Sequence, residues 1–268
     1  MILQAAAFDL LAPGSAGTFV LMGTRIGGTL MVAPMFSSTV VPRTLRVALL
    51  VVLTVLLQPA ALTTVGGIPS ITPSSLLTET VIGMAIGLGA AMIVGAVEAA
   101  GDVMAIQIGL SGAAILDPLD ASQVPVLGAF VRLFAVTLLL TLNFHTVMLS
   151  ALADSTVAIP IGTPISIAAG ARAMFQAGGA LFVLGVRFAA PVVGAVLIAN
   201  LAMALLGRAA PQLNILTIAF PVQIGLGLAV LAASLPAIAQ LLGGWTSLNN
   251  SMLIQFVRAF APAGVGVR

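Results

Sequence analysis

Six apolar stretches dominate the chain, covering approximately residues 15–36, 45–65, 76–104, 126–153, 177–206 and 215–242. A helix needs roughly 20 residues to cross a hydrocarbon core of about 30 Å, so each stretch predicts a membrane helix. The breaks between them are short and marked by Pro and Gly, near 40–46, 66–73, 159–164 and 207–214, which leaves no room for a soluble domain between spans. The fold class expected is therefore an all-α membrane protein, a single membrane domain over 1–268. Its last 26 residues, 243–268, contain Trp245, Met252, Phe256 and Phe260 with two arginines. That mixture suits an amphipathic tail lying at an interface better than a further span.

One stretch fits neither category. Residues 107–128 read QIGLSGAAILDPLDASQVPVLG, too apolar for a loop and too broken for a membrane helix. Gly109, Gly112, Pro118 and Pro125 interrupt it, and Asp117 and Asp120 place two carboxylates inside it. Irregular backbone at membrane depth has to be buried in protein or line a cavity, because lipid supplies no hydrogen-bond partner. Two readings stand side by side: a re-entrant plug over 107–125, and an ordinary loop between two membrane helices.

Small residues recur every fourth position in two of the apolar stretches. Gly83, Gly87, Ala91 and Gly95, continuing to Ala99, form one ridge; Gly225, Ala229, Ala233 and Ala237 form another. Such ridges let helix backbones approach closely. Gly is costly inside a helix, and that favours a packing role for Gly83 and Gly87 over chance.

Composition sharpens the picture. Apolar residues are 60% of the chain and charged residues 6%, with a mean hydropathy of +1.24; soluble domains are about a quarter charged. All nine basic residues are Arg, scattered along the chain with a net charge of +2. Nucleic-acid binding, which needs clustered positive charge, is not expected. There is no Cys, hence no disulfide frame and no thiolate metal site. The N-terminus has no basic residue before its apolar run and carries Asp9, so it does not read as a cleaved signal peptide. Arg43, Arg46 and Arg208 suggest cytoplasmic connections, but Arg172, Arg258 and Arg268 conflict with the parity of six spans. Partners in an assembly, in place of lipid, would relieve that conflict.

Ionisable residues within apolar runs are functional candidates by default. Arg25 and Arg187 stand in such runs, while Glu98 and Asp102 are one helical turn apart before the central stretch. A proton relay could use these carboxylates; a structural pairing or snorkelling to an interface is the plainer reading. His145 is the only histidine, and with no HExxH frame it is expected as a packed polar residue, with no metal and no cofactor. No phosphate loop before a Lys and no Gly-x-Ser-x-Gly elbow occur, so no enzyme is expected. A self-sufficient ion-coupled carrier using Glu98 and Asp102 is the alternative class.

The run GRAAPQLNILTIAFPVQIGLGL from Gly207 resembles the most recognisable motif of the FliR family of flagellar export proteins and its virulence type III secretion relatives. APMFSSTVVPRTLRVAL from Ala33, VEAAGDVMAIQIGLS through ILDP from Val97, and NFHTVML followed by ADS and PIG resemble the same family in the same order. The resemblance implies a non-enzymatic subunit of the flagellar export gate in the bacterial inner membrane, at the flagellar basal body. Its helices would form bent hairpins in a helical hetero-oligomer with FliP and FliQ. FlhB would pack around the entrance, and FlhA would help deliver the unfolded rod, hook and filament proteins that pass through. The equivalent subunit of a virulence system is a further alternative. It also implies that the central stretch is a plug that helps close the pore, carried by Gly109, Leu110, Ser111, Gly112, Ile115, Leu116, Asp117 and Pro118. Gly112 and Ile115 stand where relatives carry aromatic residues; an apolar constriction can still close by dewetting at Ile115 and Leu116, and a looser seal or bulk supplied by a partner are the alternatives. Arg208, Pro211, Gln212, Asn214 and Pro221 match the family's second motif, and its role there is assembly.

Overall fold

In the computed structural model, residues 14–37, 41–65, 68–109, 126–210, 212 and 215–261 are described. They form eight helices among those residues: α1 Ser15–Val32, α2 Pro34–Ser37, α3 Arg43–Thr64, α4 Pro73–Ile108, α5 Val126–Thr141, α6 Phe144–Ala158, α7 Ile167–Ala209 and α8 Ile215–Arg258. No strand occurs among the described residues.

Local chemistry sets the helix ends. Gly14 adopts φ +91° just before α1. Ala33, forced out of the helical region by the following Pro34, closes α1 with φ −61° and ψ 124°. At the start of α4, Thr72 and Ser75 cap one another: the Ser75 N–H donates to Thr72 Oγ1 at 3.1 Å and the Thr72 N–H to Ser75 Oγ at 2.9 Å. Pro73 occupies the first helical position, where its missing N–H costs nothing. Gly109, at φ +85°, ends α4, a conformation that a side chain would strain. Between α5 and α6, Asn143 takes the left-handed region at φ 56°.

Four helices are long and apolar enough to cross a membrane among the described residues, and five if the pair Gly128–Thr141 and Phe144–Ala158 makes one span. The six expected stretches thus reduce by one or two. The first is α1, only 18 residues long, with Arg25 and several Gly and Thr lowering its hydropathy. The fourth is broken at Leu142 and Asn143. The expected C-terminal tail is not separate at its start, since α8 runs on to Arg258 without interruption.

Contacts group the chain into two compact units. The first comprises Met1–Met92, Leu142–Gly178 and Thr246–Arg268, the second Ile93–Thr141 and Gly179–Trp245. The first unit is built around α1, whose Leu21, Met22 and Ile26 are wholly buried against Leu53, Ile82, Ile86 and Leu152. Most of α1 is buried in this core, with Val20 and Met31 left on its one exposed side, and the exposed faces of α3, with Leu45, Val52 and Leu56, are left for lipid or partners. In the second unit one buried stripe per helix supplies the core. Val97, Ala100, Met104 and Ile108 come from α4, Val131, Ala135 and Leu139 from α5, and Leu184, Phe188, Val192 and Val196 from α7. These spacings of three and four residues are the helical period expected for one packed face.

Candidate functional site

The first unit holds a buried polar node. Arg25, on α1, and Glu79, on α4, both have no solvent exposure, and the Arg25 Nε donates to Glu79 Oε2 at 2.5 Å. The guanidinium also donates to Ser155 Oγ on α6 and to the carbonyl of Ile159, each at 3.0 Å. The other carboxylate oxygen of Glu79 accepts the Gly162 N–H at 2.9 Å. Gly162 sits at φ +81°, so a turn available mainly to glycine delivers that N–H. Four chain segments therefore converge on two opposite charges. A buried pair is tolerable only when hydrogen bonds satisfy both members, and here the guanidinium and the carboxylate each have more than one partner.

Close helix contact surrounds the node. A methyl group on Gly83 would run into the backbone carbonyl of Arg25, and one on Gly87 would lie 2.7 Å from the Thr29 carbonyl. From the other side, a methyl on Gly28 would lie 2.6 Å from the Thr80 carbonyl. The Thr29 hydroxyl donates to the Gly83 carbonyl at 3.0 Å. Small residues thus bring α1 and α4 to backbone contact. The predicted ridge changes character along its length: Gly83 and Gly87 are in contact, Ala91 is half-buried, and Gly95 is exposed with open space where a side chain would project. The ridge of Gly225, Ala229, Ala233 and Ala237 lies exposed along α8; it is Gly227 that packs, against the side chain of Ile108.

The second unit carries the two carboxylates named as relay candidates. Glu98 faces Arg132 at 3.6 Å, both partly exposed. Asp102 lies against Gly128, where an added methyl would have to displace its carboxylate, and its Oδ1 is buried without a hydrogen-bond partner among the described residues. The pairs Glu98, Asp102 and Gly128, Arg132 are each spaced by one turn, so α4 and α5 meet along matching faces. At the end of α4, Gly109 packs on the ring of Phe220 and near the amide of Gln223, which in turn donates to Asn200. This amide pair joins α7 to α8 within an otherwise apolar setting.

Of the predicted plug residues, Gly109 is the turn just described; Leu110, Ser111, Gly112, Ile115, Leu116, Asp117 and Pro118 lie outside the described residues. In the second motif, Arg208 falls in the last turn of α7 and Pro221 lies inside α8. Gln212 is an exposed turn residue, and Pro211 and Asn214 lie outside the described residues. Arg132, Glu79, Asn200 and Gln223 were not anticipated. For Glu79 a signal existed: a lone carboxylate entering one apolar run and a lone Arg inside another each need a counter-charge.

The model of bacterial export proteins, family 1, matches residues 16–248 of this chain. The flagellar biosynthetic protein FliR of Pectobacterium carotovorum subsp. carotovorum is 32% identical over 215 residues, 80% of this chain and 82% of that protein. The chain belongs to the FliR family of bacterial export proteins. FliR of Escherichia coli strain K12 is likewise 32% identical, over 80% of this chain and 83% of its own length. FliR of Bacillus subtilis strain 168 is 25% identical over 82% of this chain and 86% of its own. The family match spans α1 through most of α8, so the buried node, the α4–α5 hairpin and the amide pair all lie within the FliR-family region.

Proposed function

We propose that this chain is a non-enzymatic subunit of the flagellar protein export gate. It joins FliP and FliQ in the channel through which unfolded rod, hook and filament proteins leave the cytoplasm, with FlhB and FlhA as further partners. The gate sits in the bacterial inner membrane at the flagellar basal body, and the chain acts as one export-gate domain. The observation that carries this reading is family membership over nearly the whole chain, among relatives that are flagellar biosynthetic proteins. Its long apolar helices support it. So does the placement of Glu98: its partner is a half-exposed Arg132 on the next helix, an arrangement suited to holding a hairpin together.

The central loop, 107–125, helps close the pore. Supporting this is its launch point, where Gly109 turns the chain out of α4 beside Phe220 and Gln223. The second motif is a site of assembly.

Co-purification of a tagged chain with FliP and FliQ from the native host, followed by native mass spectrometry, tests the subunit reading. A discrete complex of the three proteins is expected; a stable lone species in a host that makes both partners would overturn it. Deleting Ser111 to Leu116 should make the assembled complex leaky to small ions. Unchanged ion conductance across a bilayer would refute the plug assignment alone.

A further inference from the structure

Helix α7 has 43 residues, about 64 Å at a rise of ~1.5 Å per residue and roughly twice the hydrocarbon thickness of a bilayer. Arg187 stands close to its midpoint, about 30 Å from either end. It is exposed, and no carboxylate among the described residues pairs with it. Its surroundings are apolar: Phe182, Val183 and Val186 are 74%, 50% and 53% exposed. Pro191 lies within the helix and has no N–H, so the main-chain carbonyl of Arg187 loses its helical donor as well. One level of an apolar face therefore carries a guanidinium with no anion among the described residues and a carbonyl that lacks its usual helical donor.

Neither membrane placement satisfies this level with lipid tails. If the middle of α7 lies in the hydrocarbon, the guanidinium and the free carbonyl are both desolvated without partners. If Arg187 marks an interface, one half of the helix crosses and the other extends beyond the bilayer. When it is the first half that extends, Phe175, Phe182 and Val183 stand in water; when it is the second, Ile198, Leu201 and Leu205 do. Protein has to cover the face in each case. Among the described acids, Glu79 is held by Arg25 and Glu98 by Arg132, and neither Asp102 nor Asp154 forms an ion pair with Arg187.

We propose that the face of α7 formed by Val183, Val186, Arg187 and Ala190 receives an apolar helix of a neighbouring export-gate subunit, and that this helix presents a carboxylate to Arg187. The inference rests on the reading of the chain as a gate subunit. Charge complementarity fixes the chemistry of the partner: an acidic side chain at the level of Arg187, flanked by apolar residues that cover Phe182 and Val183.

The test is made in the native host with all export proteins present. A photo-crosslinking residue at Val183 or Val186, with Arg187 intact, should yield an adduct to one other membrane protein. R187E should lower co-purification of that protein by about thirty-fold or more, R187K should retain it, and an acid-to-Arg change in the cross-linked helix should restore R187E. Adducts to lipid alone or within this chain would overturn the inference, as would undiminished co-purification and secretion with R187M. Loss of the whole chain distinguishes the two levels. If secretion of flagellar proteins survives that deletion, the gate reading fails; if deletion stops secretion while Arg187 variants change nothing, only the Arg187 inference fails.

Discussion

Removing Glu79 should be far more damaging than removing both Glu79 and Arg25. In E79A the guanidinium of Arg25, which has no exposure, loses its counter-charge and keeps only Ser155 Oγ and the Ile159 carbonyl. The Gly162 N–H also loses its acceptor. Breaking a buried pair from one side costs about 3–5 kcal/mol, or two to four decades in the folded-to-unfolded ratio. E79Q preserves the shape and an acceptor for Gly162, yet removes the charge, and loss of a charged hydrogen bond places it near 1.5–3 kcal/mol. In R25M/E79L no buried charge remains. The unpaired Gly162 N–H and the freed acceptors are then the main cost, so the double variant should fall within about 2 kcal/mol of the parent. Denaturant titration of the detergent-solubilised complex, read by the fraction of chain still folded, measures all three. Stability of E79A and E79Q within about 0.5 kcal/mol of the parent would refute the reasoning. A double variant as unstable as E79A would refute it equally, since the cost would then come from shape and not from stranded charge.

Glycines of one ridge should respond in opposite ways. G83A drives a methyl into the Arg25 carbonyl and should cost at least about 1–3 kcal/mol by forcing α1 from α4, whereas G95A enters open space and should be neutral or stabilising by up to about 1 kcal/mol; the same titration reads both, and equal effects would sink the contact. E98Q should leave protein secretion within about two-fold of the parent, because a pair at 3.6 Å that is a third to a half exposed is worth under ~1 kcal/mol. Complete loss of transport in E98Q or D102N, in a chain that purifies stably alone, would instead favour an ion-coupled carrier.

Some features around the site were legible in the sequence, for definite reasons. The ridge at Gly83 and Gly87 could be read because small residues four apart must share a helix face. Gly109 could be read as an interruption, though not as the end of α4, because glycine disfavours a continuing helix. Glu98 and Asp102 could be placed on one face by the same periodicity. What they would meet could not be read: Arg132 and Gly128 come from the next helix, across the central loop. The break at Asn143 escaped because an Asn with positive φ looks in sequence like any polar residue in a span.

The sequence by itself determined the class of structure, the helix count to within one or two, and the family, because apolar length, helical period and Pro and Gly punctuation are local properties of a chain. Only the tertiary structure decided that α1 is a core helix and that Arg25 is held by Glu79. Those residues are separated by 54 positions, and the remaining partners come from α6 and the turn at Gly162. Local pattern carries no information about which distant charge answers a buried one; that choice is made when four segments pack together and every donor and acceptor among them has to be satisfied.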